Sequence, residues 1–326
     1  MIISKTPIRI SFFSGGSDIS SFYEKAPGAA LSVTIDKYIY VALHKTPHLG
    51  IKLMYDQVEE YSEIDQMQHL ITRETLKHFD IEKELTIASI SDITAKGSGL
   101  GSSSAFTVGL ANVISAYKEV PVLKKDLADL ACDIEIGRCK YPIGKQDQYA
   151  AAYGGFNLFE FQQNGTVVVN NIDNSVLDKL QENLILVYSG RGRSANAILQ
   201  KQAVAMSNDV KFDLVGRSRD KAYQGLRLLN NQDVDSFGAL LHEAWLDKKA
   251  VVEDISQTYF DTIYDRVLSA GALGGKLLGA GGGGFFLFYV PPEKREAVMQ
   301  KLDSEPSCKV YDFKFSNYGS TITANC

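Results

Sequence analysis

The stretch Lys96-Gly97-Ser98-Gly99-Leu100-Gly101-Ser102-Ser103-Ser104-Ala105 limits the possible folds more than any other part of the chain. It follows a strand-like segment, Leu85 to Ile90, and opens a run with apolar residues at Phe106, Leu110, Val113 and Tyr117, which is helical spacing. Three glycines within five residues let backbone N–H groups turn inward without Cβ clashes. The serines then stand where a helix leaves donors unpaired and a partial positive charge. A strand, a glycine turn and a helix start together make a place for phosphate, so Lys96 to Ser104 are the candidate nucleotide-binding residues. A plain loop that caps a helix is the competing reading, and the stretch by itself leaves both open.

Two familiar phosphate loops are excluded. A Walker A loop needs a lysine after its last glycine, which Gly97 to Ser104 lacks, and Gly271 to Lys276 is one residue short and followed by Leu277. A dinucleotide GxGxxG would need glycine where the chain has Ser102. Other segments carry chemistry but read ambiguously on their own. Ser14-Gly15-Gly16-Ser17-Asp18 follows a strand at 1–13 and reads as a tight turn. Asp126 to Arg138 has the pattern of an amphipathic helix with Glu135 at the edge of its apolar stripe, either solvated or compensated by a cation. Asp147 suits a helix cap, and Arg191 with Arg193 suits either a basic surface loop or an anion site. Gly281 to Gly284 implies unusual backbone or a close approach, since each glycine in a regular element costs about 0.5–1 kcal/mol against alanine.

Taken together, these pieces resemble the GHMP kinases, which phosphorylate sugars, homoserine and mevalonate. Gly-Leu-Gly-Ser-Ser-Ser-Ala at 99–105 matches their central motif, although Asp92 to Lys96 lacks the usual proline before it. The resemblance implies a loop wrapped around ATP phosphates, with Mg2+ held by Ser103 and Glu135. It implies Asp147 as catalytic base with Arg9 beside it. Ser14, Gly15, Gly16 and Asp18 would contact the substrate, Asp18 accepting hydrogen bonds from its hydroxyls. A glycine-rich third motif would pack beside the phosphate loop, with Gly282 in it at the substrate. The loop lacks the Gly-Glu-His of galactokinases, which argues against galactose. Gly144-Lys145-Gln146-Asp147-Gln148, together with Tyr188, Gly190, Arg193, Ser194 and Ala195, is similar to the bacterial D-glycero-D-manno-heptose 7-phosphate kinases. That similarity implies a sugar phosphate as acceptor, phosphorylated at its anomeric hydroxyl, with Arg193 on the phosphate already present; the alternatives are a kinase for another sugar, such as fucose or a uronic acid, and a non-catalytic sugar-binding relative.

The implied fold is α+β in two domains, expected at 1–180, with the nucleotide loop, and at 181–326, ferredoxin-like, with the site between them. A length of 326 residues suits two domains. A net charge of −5 argues against nucleic acid as a partner and leaves any anionic substrate to local arginines and lysines. No apolar run is long enough for a bilayer, the N-terminus lacks a signal-peptide layout, and the four cysteines form no CxxC pair, so a cytoplasmic location with reduced thiols is expected. The histidines read as surface or structural residues. Trp245 reads as core, 309–315 as a strand, and the residues beyond as frayed; Lys248-Lys249 reads as a solvated pair, although the family resemblance of His242-Glu243-Ala244-Trp245-Leu246-Asp247-Lys248-Lys249 also allows it to face the active site.

Overall fold

The computed structural model describes residues 1–47, 50–93, 97–173, 175–192, 200, 204, 206–251 and 258–325. Two long antiparallel strands form its spine, β1 (Ile2–Phe13) and β2 (Gly28–Lys45), with the short helix α1 (Ser20–Tyr23) between them. The far half of β2 pairs β5 (Leu85–Ser91), whose other edge takes β3 (Ile51–Met54) in parallel, and β3 pairs β4 (Val58–Tyr61). Helix α2 (Leu70–His78), preceded by a separate 3-10 turn at Ile64–Gln66, fills the connection back to β5.

Helix α3 (Ser102–Tyr117) starts where the glycine turn ends and lies across β1 and β2. It is buried almost all round, which suits a helix of small and apolar residues in the middle of a domain. Its approach to β1 is so close that a Cβ on Gly109 would stand 2.7 Å from the Thr6 hydroxyl. The amphipathic pattern at 126–138 becomes α4 (Lys124–Cys132) followed by a wider π-helical turn, Asp133–Arg138. Then come α5 (Gln146–Tyr153), the hairpin β6 (Phe156–Phe161) and β7 (Val167–Asn171), and α6 (Val176–Glu182). Strand β6 pairs the near half of β2.

A second, four-stranded antiparallel sheet follows. Its strands are β8 (Leu184–Tyr188), β9 (Gly274–Leu277), β10 (Phe285–Tyr289) and β11 (Lys309–Tyr311), in the order β11-β8-β10-β9. Helices α7 (Asp209–Asn230), α8 (Val234–Val251) and α9 (Thr258–Ser269) join β8 to β9, and α10 (Arg295–Asp303) joins β10 to β11. A β-α-β-β-α-β chain with its fourth strand beside its first is the ferredoxin-like arrangement. The tail is not frayed. Strand β12 (Thr321–Asn325) pairs antiparallel with β1, so the chain's end crosses back to the first sheet and a cut at 180 would separate it from its partner.

Candidate active site

The two sheets meet at a cavity of about 640 Å³ whose wall includes Arg9, Ser14, Gly15, Gly16, Asp18 and Asp147 together with Gly97–Gly99 and Gly101–Ser104. Register shifts in β1 on either side of Arg9, between Pro7 and Arg9 and between Ser11 and Phe13, re-aim side chains at this end of the strand. Arg9 makes a two-pronged pair with Asp147: Nε donates to Oδ1 at 2.8 Å and Nη2 to Oδ2 at 2.7 Å. Its Nη1 donates to the Gly99 carbonyl at 2.7 Å, and its backbone N–H to the Leu100 carbonyl at 3.0 Å. One guanidinium thus fixes the carboxylate at the start of α5 relative to the glycine loop at the start of α3.

Gly97, Gly99 and Gly101 all have left-handed φ, +69°, +77° and +74°, which turns the loop before α3. Ser98 Oγ accepts the Leu100 N–H at 3.2 Å and lies 3.0 Å from Ser102 Oγ. The loop is pressed against the segment between β9 and β10. A Cβ on Gly99 would stand 2.5 Å from the Leu278 carbonyl oxygen, one on Gly279 2.5 Å from Gly99 Cα, and one on Gly284 2.3 Å from the Ser98 carbonyl oxygen. The third motif therefore packs beside the loop as the resemblance implied. Gly279 and Ala280 are the residues it gives to the cavity wall; Gly282 is buried outside that wall, as is Leu100. Lys96 and Arg193 lie outside the described residues, as do Ser194 and Ala195.

Asp18 is half-buried and receives Ser14 Oγ at 3.1 Å and the Gln146 N–H at 3.3 Å. Loss of water, and then the charge of Asp147, pushes its carboxyl above the ordinary range. Glu135 is sealed inside the π-helical turn. Ser103 Oγ donates to its Oε1 at 2.9 Å and Gln148 Nε2 to its Oε2 at 2.6 Å. Burial raises this carboxyl too, against the pull of its hydrogen bonds. Ser103 stands on the cavity wall and Glu135 directly behind it. A carboxylate and a hydroxyl are hard oxygen donors, and no cation pairs with Glu135 among the described residues, so the set fits Mg2+.

Two lysines also stand on the wall, one of them at a position the sequence left open between solvent and site. Lys248, expected as half of a solvated pair, is 8 % exposed on the wall, because α8 packs along β9 and turns this residue inward. Its neighbour Lys249 instead faces Asp261 at 3.1 Å. Lys276 is likewise buried on the wall, donating to the Phe12 carbonyl at 2.7 Å. At the other end Leu53, Tyr55, His69, Ile71 and Phe106 give an apolar and aromatic wall, with His69 Nδ1 also accepting the Thr72 N–H at the start of α2. Periodicity could have flagged Phe106, but not the loops that bring Tyr55 and His69 beside it. Trp245 is core, as its spacing suggests.

Known proteins resemble this chain in sequence and in fold. The pattern of the GHMP kinases N-terminal domain matches residues 66–155 and that of the GHMP kinases C-terminal domain matches 226–307. A Campylobacter jejuni protein named D-glycero-alpha-D-manno-heptose 7-phosphate kinase is 30% identical over 98% of this chain and 97% of its own. The crystal structure of a D-glycero-D-manno-heptose 1-phosphate kinase from Bacteroides thetaiotaomicron covers 100% of both chains at 27% identity with a TM-score of 0.80. Lactococcus lactis galactokinase, at 17% identity and a TM-score of 0.76 over 99% of this chain and 94% of that one, shares the fold. The chain belongs to the GHMP kinases and is an ATP-dependent phosphotransferase with an alcohol group as acceptor.

Proposed function

We propose that the protein transfers the γ-phosphoryl group of ATP to the anomeric hydroxyl of D-glycero-alpha-D-manno-heptose 7-phosphate. The products are the 1,7-bisphosphate and ADP, in the cytoplasmic synthesis of a GDP-activated heptose. The observation that carries this reading is the single guanidinium of Arg9, which ties Asp147 to the glycine loop across one cavity. The names of the Campylobacter and Bacteroides relatives point to the heptose phosphate.

In this reading the aromatic end of the cavity takes the base and the loop's N–H groups face the phosphates. Asp18, held by Ser14 and Gln146, accepts hydrogen bonds from the sugar and sets its orientation. Asp147 takes the proton of the attacking hydroxyl as the new O–P bond forms and the bond from phosphorus to the ADP oxygen breaks. Arg9 keeps that carboxylate oriented toward the acceptor. Ser103 and Glu135 would hold Mg2+, which would supply positive charge against the phosphates.

A coupled assay for ADP with heptose 7-phosphate, heptose, fucose and a uronic acid tests the acceptor. We expect kcat/KM for heptose 7-phosphate to exceed the others by at least about a hundredfold, the scale set by a polar site left unpaired by a substrate lacking its partner. Turnover of fucose or a uronic acid alone would overturn the acceptor and leave the kinase family standing. Asp147→Asn should lose turnover by at least about a hundredfold while ADP affinity holds. Near-normal turnover in that variant would remove Asp147 as base.

A further inference from the structure

Lys248 and Lys276 are two buried ammonium groups on the wall of one cavity, at 8% and 6% exposure, and the chemistry described so far uses neither. Each has three donors and one protein acceptor among the described residues: the Gly279 carbonyl for Lys248 and the Phe12 carbonyl for Lys276. Neither has an ion-pair partner among the described residues. The charges that act on Lys248 are Arg9, which opposes its own, and Asp18, which favours it; those that act on Lys276 are Lys248 and Arg9, both opposing. A buried cation without a counter-ion is costly, and here Arg9 is already committed to Asp147. The arrangement is one that an anion in the cavity would complete.

The position says which anion. Lys248 donates to Gly279, Gly279 rests against Gly99, and the Gly99 carbonyl accepts from the Arg9 guanidinium that holds Asp147. Lys248 therefore stands at the seam between the glycine loop and the candidate base, where phosphorus must lie when a hydroxyl attacks it. The acceptor's own phosphate, at the opposite end of the sugar from its reacting hydroxyl, belongs further away. We infer that Lys248, with Lys276 behind it, binds the terminal phosphoryl group of the nucleotide and stays with it through transfer. Charge that spreads over the phosphoryl oxygens as the group moves then meets a fixed ammonium that is itself held out of water.

This inference rests on the kinase chemistry of the family and not on which sugar is the acceptor, so its test uses nucleotide alone. Titrate the wild-type protein and Lys248→Met with ADP and with β,γ-imido-ATP, without sugar and with Mg2+ present. The variant should bind ADP within about twofold of wild type and β,γ-imido-ATP at least about tenfold more weakly, the scale of one charge-assisted hydrogen bond. Its kcat, measured on whichever acceptor the wild type turns over, should fall about a hundredfold to a thousandfold, as for loss of one donor to a developing anion. Equal loss of both nucleotides would mean a structural role and overturn the inference. So would intact nucleotide binding with only the acceptor's KM raised, which would assign Lys248 to the acceptor's own phosphate. Lys248→Gln, which keeps a donor for the Gly279 carbonyl without the charge, gives the same readout should the methionine variant fail to fold.

Discussion

At the scale of single residues, the site sets three buried cations, Arg9, Lys248 and Lys276, beside two partly exposed carboxylates, Asp18 and Asp147. Burial, and then the nearby Arg9 charge, brings the Lys248 ammonium down to about 8, while Asp18 pulls it back up. The groups that face it are Arg9 from β1, Asp18 from the following loop and Lys276 from β9, with Asp147 on α5 paired to that arginine. A polyanion beside Lys248 must raise its pKa again, so the nucleotide complex holds more protons than the free protein near pH 8. We expect uptake of roughly half a proton on nucleotide binding at that pH, seen as a buffer-dependent binding enthalpy, with the Lys248 share absent in Lys248→Met. Affinity for β,γ-imido-ATP should correspondingly weaken as pH rises past 8. The folding linkage has the opposite direction. Between about 8 and the ordinary value of 10.5 the unfolded chain holds a proton that the folded one has released, so in that window this group makes the empty fold gain stability with rising pH.

At the scale of elements, the glycine loop and the third motif are one structure made of two distant segments. Gly99 is where this can be tested. Its φ of +77° alone costs an L-residue about 1–2 kcal/mol, and a Cβ would meet the Leu278 carbonyl oxygen at 2.5 Å, which is backbone and cannot swing away. Gly99→Ala should therefore lower the denaturation midpoint and weaken ADP as well as ATP, unlike Lys248→Met, because it moves the loop and not one phosphate contact. ADP binding at wild-type strength would show that the loop does not hold the nucleotide. Much of this was legible in the sequence, because a strand, a glycine turn and a helix start are written in neighbouring residues. Arg9, Ser103, Glu135 and Asp147 could be named only through the family resemblance, since their segments read alone as a strand, a helix start, a stripe edge and a helix cap. The pair Lys248-Lys249 could be noticed but not resolved, since the inward side of α8 depends on its packing against β9, and the two lysines look alike until that contact exists. The π-helical turn that holds Glu135 also escaped, because an apolar stripe does not distinguish a regular helix from a widened one.

At the scale of the whole molecule, the part least visible in the sequence is the return of the tail. Nothing local in Thr321–Asn325 announces a strand whose partner is β1, because pairing is decided by what the other three hundred residues have already built. Ser320 shows how closely the return is fitted. Its Oγ lies 2.7 Å from Thr6 Oγ1 on β1 and accepts Asn112 Nδ2 of α3 at 2.9 Å, and its N–H donates to the Ala151 carbonyl at 2.9 Å. One residue near the C-terminus thus links the first strand, the helix that opens with the glycine loop, and the helix that opens beside Asp147. Ser320→Ala keeps the backbone bond but strands the Thr6 hydroxyl and the Asn112 amide, both buried, without their partner. That should cost about 1–3 kcal/mol in urea denaturation, the penalty for buried polar groups left unmatched. Turnover at 25 °C should stay close to wild type, since the Ala151 contact still ties the tail to α5. Deleting residues 319–326 removes that contact as well and uncovers the edge of β1, so this variant should lose activity and associate in a concentration-dependent way. If the truncated protein instead keeps the full-length protein's oligomeric state and full activity, β12 is an ornament on the first sheet and the placement of Asp147 owes nothing to it.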